Sequence, residues 1–229
     1  MQPTNKKIPW RYERKYIIPS KISNDIEYLI LTSRANFSET YNERRINSIY
    51  LDNDNFDFYR SSIEGSHIRN KIRFRWYGKN TNSNINLEIK SKHGVVGRKR
   101  NYKLPKVDVK SLTNFNYTKK LNITNELEHD SSICFANLGM KLYVSYIRKY
   151  FLSFDEKYRI TIDRNLKFAR LDYNQGMNNL ILVDDNSVIL EIKYNVQDDK
   201  LAYQLQENLP IRLDKFSKYT RGIDMLYSI

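Results

Sequence analysis

The side chains of this sequence that are best suited to chemistry are cations placed at every second position. The clearest run lies in residues 69–75, where the alternating positions are Arg69, Lys71, Arg73 and Arg75. Successive side chains of a β-strand point to opposite faces, so this run predicts a strand with one basic face. Arginine can grip two oxygens of an anion through its planar guanidinium group, and lysine supplies a compact positive charge. Such a face is suited to binding phosphate groups.

The same alternation occurs in five further segments, where charged or polar residues share one parity and apolar residues mostly hold the other. The polar sides are Arg11, Glu13 and Lys15; Glu88, Lys90 and Lys92; Tyr146 and Arg148; Arg159, Thr161 and Asp163; and Glu191 and Lys193. One row of like charges could be an ordinary solvated face, but several rows need another explanation. If the strands are neighbours, their charged faces converge on a basic interior that carries single carboxylates.

We therefore predict an α+β fold, namely an antiparallel β-strand tunnel or closed barrel with a basic interior and helices packed outside. After a first strand at Arg11, strands are predicted near residues 46–52, 68–78, 85–92, 95–104, 142–154, 157–163, 166–170, 180–184 and 188–195. Helices are predicted after Pro19, over 53–64, near 201–207 and after Ser217. Residues 1–229 are expected to form one domain, with a flexible segment at 1–8 and a helical insertion at 105–140.

The overall charge supports an anionic partner. Lys and Arg number 39 against 26 Asp and Glu, a formal net charge of +13. Nucleic acid, phospholipid and phosphate ligands all satisfy that charge.

Cys134 is the single cysteine, which excludes an internal disulfide and a cysteine zinc cluster. The sequence has neither a signal peptide nor an apolar run of about 20 residues, so we expect a soluble, cytoplasmic protein.

Several of these segments also resemble a known family. The segments are Arg11–Tyr16, Ile72–Gly78, Leu87–Lys90, Tyr146–Arg148, Arg159–Asp163, Leu190–Lys193 and Lys215–Tyr219, and they occur in the order found in VTC domains. VTC domains belong to the triphosphate tunnel metalloenzyme, or CYTH-like, superfamily. The resemblance spans about residues 8–226. It implies a basic tunnel that synthesises inorganic polyphosphate from ATP with a divalent metal, Mn²⁺ or Mg²⁺.

The resemblance also implies roles for individual residues. It assigns the catalytic and phosphate-binding wall to Lys15, Arg73, Arg75, Lys90, Arg148 and Arg159, with Lys193 and Tyr146 as further phosphate-binding residues. Lys215, Ser217 and Lys218 match the closing motif of the family, and Glu191 matches its metal-holding carboxylate. After Gly97 the family carries one functional lysine, and here Arg98, Lys99 and Arg100 compete for that position. Strand parity favours Arg98 together with Arg100.

Three functions stay open at this level. The first is an ATP:polyphosphate phosphotransferase whose partners are ATP and polyphosphate or pyrophosphate. The second is a tunnel-type triphosphatase, but hydrolytic relatives carry a carboxylate where this chain has Arg11, which favours transfer. The third is a polyanion- or nucleic-acid-binding domain, disfavoured because no RNA-binding aromatic motif is present. Whether a membrane-protein partner exports the product stays open.

Overall fold

The computed structural model describes residues 10–78, 84–104, 137–172, 176–184, 186–199 and 212–229. Its elements, in chain order, are β1 (Arg11–Pro19), α1 (Ser23–Leu31), β2 (Ser38–Asp52), α2 (Asp57–Ile63), β3 (Ile68–Tyr77), β4 (Asn86–His93), β5 (Val96–Lys103), β6 (Gly139–Leu152), β7 (Arg159–Asp172), β8 (Gly176–Asp184), β9 (Ser187–Asn195), β10 (Leu213–Asp214) and α3 (Lys218–Leu226). Short 3₁₀ helices occupy Ser20–Ile22 and Val196–Asp198. No helix in these ranges is long and apolar enough to cross a membrane.

Eight strands pair in a closed ring. Going round it, the order is β1, β5, β4, β3, β2, β6, β7, β9 and back to β1, and every pairing is antiparallel. β10 adds to β1 and β8 adds to β7 beside the ring. Because side chains alternate along each strand, one face of every strand in the ring points to the enclosed space. The predicted α+β tunnel fold is confirmed.

Strands β2 and β7 are longer than predicted. β2 begins at Ser38 rather than near residue 46, because its first residues are polar and exposed and give no apolar alternation. The two strands predicted over 157–170 are the single strand β7, in which Asn165 takes a left-handed conformation with a φ of 53°. The β6–β7 register shifts near this position, between Ser145 and Ile147. Such a bulge interrupts the alternation without ending the strand.

Some predicted elements fall outside the described residues. These are the segment 1–8, the helix near 201–207 and most of the insertion at 105–140. The end of that insertion was predicted wrongly as helix, because Gly139 and Met140 begin strand β6 and pair with Asp52 and Leu51 of β2. The partner strand, which the local sequence does not reveal, decides this conformation.

Much of the outward face of the ring is apolar and covered, as expected. Helix α1 places Ile26 and Ile30 on a cluster that includes Ile160, Leu190 and Ile192. A second cluster lies on the outward faces of β2, β3 and β4, around Ile49, Ile72, Phe74, Leu87 and Ile89. Burial of these side chains is the main favourable contribution to the stability of the ring.

Helix α3 packs on the inward face instead. Its Tyr219 stacks on Tyr50 of β2 with ring centroids 5.1 Å apart. A Cβ atom at Gly222 would lie 2.5 Å from Leu142 Cδ2 and 2.8 Å from Phe168 Cδ1, so only glycine allows this approach. The helix therefore fills one end of the enclosed space with a third apolar cluster. The polar remainder of that space is the candidate site.

Candidate active site

The strand registers bring the predicted basic rows together on the inward face. Lys71 of β3 lies opposite Lys90 of β4, and Arg73 lies opposite Glu88. Residues directly opposite in an antiparallel pair share a face. The inward row of the ring contains Glu13 and Lys15 of β1, Arg69, Lys71, Arg73 and Arg75 of β3, Glu88, Lys90 and Lys92 of β4, Tyr146 and Arg148 of β6, Arg159, Thr161 and Asp163 of β7, and Glu191 and Lys193 of β9.

These side chains surround a space that water can reach. The side chains of Lys90, Lys15 and Lys193 keep 26%, 22% and 18% of their surface exposed, although their strands are closed on both sides by neighbours. Ammonium groups in a plugged apolar core would be excluded from water at a large cost in free energy. The exposed fractions therefore indicate a channel between the strands that solvent enters.

Glu88 is the centre of one group of ion pairs. Its Oε2 accepts from Arg73 Nη2 at 2.7 Å and lies 3.5 Å from Arg75 Nη1, while its Oε1 accepts from Lys99 Nζ at 2.8 Å. Burial alone would raise the pKa of Glu88, but the positive charges of Arg73, Arg75 and Lys99 lower it strongly. Glu88 is therefore a permanent anion that orients three cations.

Glu13 and Glu191 form a second group on the adjacent strands β1 and β9. Glu13 accepts from Lys90 Nζ, and Glu191 lies 3.1 Å from Lys193 Nζ and 3.9 Å from Lys15 Nζ. Burial opposes ionisation, yet these ammonium groups hold the pKa of both carboxyl groups below its ordinary value. Both side chains are carboxylates at neutral pH.

Asp163 is the third carboxylate centre and is fully buried. Its oxygens accept from Arg148 Nε at 2.5 Å, Arg148 Nη2 at 2.7 Å and Lys218 Nζ at 2.5 Å. Although burial raises the pKa of a carboxyl group, Arg148 and Lys218 lower that of Asp163 to about 2. The pair fixes the Arg148 guanidinium, whose Nη2 also lies 3.8 Å from Glu191 Oε2.

The channel holds more cations than its carboxylates can neutralise. Burial, with like charge from Lys90 and Lys218, lowers the pKa of Lys15 to about 7. Burial and the charges of Lys15, Lys90 and Lys92 lower the pKa of Lys71 well below its ordinary value. Lowered lysine pKa values mean that positive charge is unfavourable there until an anion arrives. The buried Nε of Arg75 has no hydrogen-bond partner among the described residues.

The C-terminal segment reaches this cluster as the closing motif predicts. Ser217 caps helix α3, and its Oγ accepts from Thr220 N at 3.2 Å and from Lys71 Nζ at 2.7 Å. Lys15 Nζ donates to Phe216 O at 3.0 Å. Lys218 lies over the ring of Tyr146 at 4.5 Å, whereas Lys215 is exposed before the start of the helix. The structure thus brings Ser217 and Lys218 into the site and leaves Lys215 at its edge.

The assignment on β5 was wrong. Arg98 lies opposite Ser91 and Arg100 opposite Ile89, both on the outward face, whereas Lys99 lies opposite Lys90 on the inward face. Arg98 instead stacks over Trp10 at 5.3 Å. The hairpin turn at residues 94 and 95 pairs His93 with Val96, and this register sets the parity of every later residue. Counting from the turn would have identified Lys99.

The remaining predicted residues occupy the expected face. Arg159 lies opposite Lys193 but is exposed, which places it at the rim of the channel. Tyr146 accepts from Arg75 Nη2 at 3.3 Å.

Tyr50 is a site residue that the sequence did not predict. Its hydroxyl accepts from Arg73 Nη1 at 2.9 Å. Tyr50 follows an apolar strand pattern, so only the pairing with β3 reveals its role.

A divalent metal fits this site only with help from substrate oxygens. Among the described residues no group of three or more His, Cys, Asp or Glu side chains could hold a metal ion. Glu191 and Glu13 supply hard carboxylate oxygens on neighbouring strands, of the kind that Mg²⁺ and Mn²⁺ prefer, and such ions commonly complete their shell with phosphate oxygens and water. The donor set is therefore compatible with a metal that arrives together with phosphates.

Comparisons with known proteins find two curated relatives at 26% identity. The vacuolar transporter chaperone complex subunit 4 of Schizosaccharomyces pombe is 26% identical over 244 residues, covering 86% of this chain and 34% of the relative. The subunit of the same name from Trypanosoma brucei brucei is 26% identical over 224 residues, covering 80% and 28%. The chain thus spans about a third of the length of these curated relatives.

Solved structures share the fold at low identity. A protein from Bacillus halodurans described as a candidate adenylate cyclase matches with a TM-score of 0.56 and 13% identity, over 97% of this chain and 100% of its own. A protein of Pyrococcus horikoshii OT3 matches with a TM-score of 0.53 and 14% identity, over 94% and 99%. The profile of the VTC domain matches residues 10–227. This chain therefore belongs to the VTC domain family.

Proposed function

We propose that this chain is an ATP:polyphosphate phosphotransferase that lengthens a polyphosphate chain inside its tunnel. The observation that carries the proposal is the excess of inward cations around a channel that water enters. A linear polyphosphate carries about one negative charge per phosphate group, so such a lining matches it along its length. An anion in the channel would offset the crowding of positive charge most at Arg75, which shares Glu88 with two other cations, and at Lys71, whose ammonium pKa is lowered.

The proposed reaction is a direct transfer. An oxygen of the terminal phosphate of the growing chain attacks the γ-phosphorus of ATP, and the bond from that phosphorus to the β-bridging oxygen breaks. ADP leaves with the electron pair. Arg73, Arg75 and Arg148 neutralise the charge on the oxygens of the transferred group, while Lys90 and Lys193 hold the acceptor chain. In phosphoryl transfer, positioning and charge neutralisation supply most of the catalysis.

The carboxylates favour transfer over hydrolysis. Arg11 Nε lies 3.9 Å from Glu13 Oε1, so a cation stands where hydrolytic relatives carry another carboxylate. Glu13, Glu88 and Glu191 have lowered pKa values and are weak bases toward water. A terminal phosphate is already an anion at neutral pH and needs no base. The lining therefore suits a phosphate acceptor better than it suits water.

Glu191, with Glu13, would hold a divalent metal, Mn²⁺ or Mg²⁺, together with substrate phosphates. When bound, such an ion would add to the neutralisation of the phosphate charge. The arginine and lysine side chains of the channel would still align the donor and the acceptor. Because two relatives are named as subunits of a vacuolar transporter chaperone complex, we further propose that this domain works on the cytoplasmic side of a membrane assembly.

Purified protein incubated with ³²P-labelled ATP and Mn²⁺ tests the proposal. We expect ADP and a ladder of polyphosphate on a gel, and we expect the Arg75→Ala variant to lose about 100-fold or more in rate, as removal of a transition-state donor does in other enzymes. Arg34→Ala, at an exposed position outside the ring, is the matched control and should retain the wild-type rate.

The alternatives give different products. Release of orthophosphate without polymer would show a triphosphatase. Binding to RNA or DNA that falls steeply with salt, without turnover of ATP, would show a nucleic-acid-binding domain. Equal rates for wild type and Arg75→Ala would overturn the assignment of the channel as the active site.

A further inference from the structure

A cluster of tyrosines lies at the end of the tunnel away from α3, and the transfer reaction gives it no role. Lys71 contacts Ser217 at the start of α3, and the inward residues that follow on β3 lead away from that helix to Tyr77 at the end of the strand. Tyr77 lies six positions after Lys71 on the strand, a distance of about 20 Å. Tyr77 therefore stands at the mouth opposite the helix.

The cluster is organised around one arginine. The guanidinium carbon of Arg44 lies 4.4 Å from the ring centroid of Tyr41, 5.0 Å from that of Tyr150 and 5.6 Å from that of Tyr77. The rings of Tyr41 and Tyr150 meet edge to face with centroids 5.6 Å apart. We call these four residues the mouth cluster. Their packing fixes the ring planes before any ligand arrives.

The mouth cluster adjoins the proposed phosphate-transfer site. Arg75 lies 5.4 Å from the ring centroid of Tyr77, and Arg148 lies 5.9 Å from that of Tyr150. These two arginines are buried, at 5% and 6% exposure. The tyrosines are therefore the next side chains outward from the groups that would hold the γ-phosphate.

The outer tyrosines present their surface to solvent. Tyr41 is 58% exposed and Tyr77 is 39% exposed, on strands whose other large residues are mostly buried. Exposed aromatic faces beside a guanidinium are the arrangement that stacks nucleobases, because every base has a π face and the arginine adds a cation–π contact. A phosphate chain has no such face and cannot stack on tyrosine rings.

We propose that the mouth cluster binds the base of the nucleoside triphosphate donor, so that the donor enters from this end with its phosphates pointing toward α3. This inference rests on the proposed function, since it assigns the donor a place in the same tunnel. Stacking does not read the hydrogen-bonding edge of a base, so adenine and guanine nucleotides should bind with similar affinity. Pyrimidine nucleotides, with smaller rings, should bind less tightly.

The test compares ATP with inorganic tripolyphosphate, which has the phosphates without the base. Dissociation constants of both are measured calorimetrically for the wild type, for Tyr41→Leu and Tyr77→Leu, and for the double variant. We expect the double variant to bind ATP about 5- to 100-fold more weakly and tripolyphosphate as the wild type does. Tyr28→Leu, at a 67% exposed position on α1, controls for loss of a surface tyrosine.

The outcomes separate this inference from the proposed function. If the double variant binds ATP and tripolyphosphate as tightly as the wild type, or loses the same factor for both, the mouth cluster does not hold the base. If the single variants lose ATP affinity in part while tripolyphosphate binding is kept, the inference stands even should the double variant fold poorly. If the wild type binds neither ligand, the phosphate-binding tunnel itself is disproved and the inference falls with it.

Discussion

Lys71 of β3 donates from its Nζ to the Oγ of Ser217, the residue that caps helix α3, across 2.7 Å. The two residues are 146 positions apart in the chain, and their contact ties the start of a wall strand to the helix that fills one end of the tunnel. The same hydroxyl oxygen accepts from Thr220 N. One oxygen thus stabilises the helix start and accepts a hydrogen bond from the ammonium group of Lys71.

Replacement of Ser217 should affect both the stability of helix α3 and the environment of Lys71. We expect Ser217→Ala to lower the free energy of unfolding by about 1 kcal/mol, because the cap and the Lys71 acceptor are both lost. Ser217→Asp should keep the cap and restore stability, yet bind tripolyphosphate more weakly because it adds negative charge to the tunnel. Urea unfolding and calorimetry measure the two effects. Equal stability of all three proteins would contradict the cap assignment.

The register of β5 makes neighbouring cations inequivalent. Lys99→Ala should weaken tripolyphosphate binding by about tenfold or more, since it removes an inward charge that lies 2.8 Å from Glu88 Oε1. Arg98→Ala, one residue earlier on the outward face, should leave the dissociation constant within about twofold of the wild type. The opposite order of effects would mean that β5 pairs with β4 one residue out of the register described.

The position of α3 inside the ring depends on Gly222. We expect Gly222→Ala to lower the free energy of unfolding by about 1–3 kcal/mol, because the added methyl group would overlap Leu142 and Phe168. Gly139→Ala is the matched control, since the nearest atom to its Cβ would be 3.7 Å away at the end of a flexible lysine. Denaturant unfolding of both variants measures the difference. Similar losses would place α3 elsewhere.

The lowered pKa of Lys15 predicts how stability depends on pH. Burial lowers this pKa in the folded protein to about 7 from its ordinary 10.5. Between these pH values the unfolded chain holds a proton on Lys15 that the folded protein lacks. The free energy of unfolding should therefore rise with pH in this window, by up to about 1.4 kcal/mol per pH unit from this group.

Urea unfolding of the anion-free protein at pH 7 and pH 9 measures that rise. Lys15→Met should show a smaller rise than the wild type, because it has no ammonium group to titrate. Lys21→Met, at an exposed position, is the control for loss of one lysine. A rise in Lys15→Met that matches the wild type would show that other groups produce the pH dependence.

The amino-acid sequence by itself determined which faces of the strands are basic. Alternation with a period of two is a local property, so the inward positions of Lys15, Arg75, Lys90, Arg148 and Glu191 could be predicted from their neighbours in the chain. The N-cap at Ser217 was local in the same way, because a hydroxyl residue before an amphipathic helix needs no distant partner.

The tertiary structure alone decided what these faces enclose. The closure of the ring between β1 and β5 and the burial of α3 against the inward face both depend on contacts between segments far apart in sequence. The mouth cluster is of the same kind, since Tyr41, Tyr77 and Tyr150 come from three strands. The local pattern determines which face of a strand a side chain occupies. Long-range pairing of the strands determines which other side chains lie beside it, and a binding site forms only where such side chains are brought together.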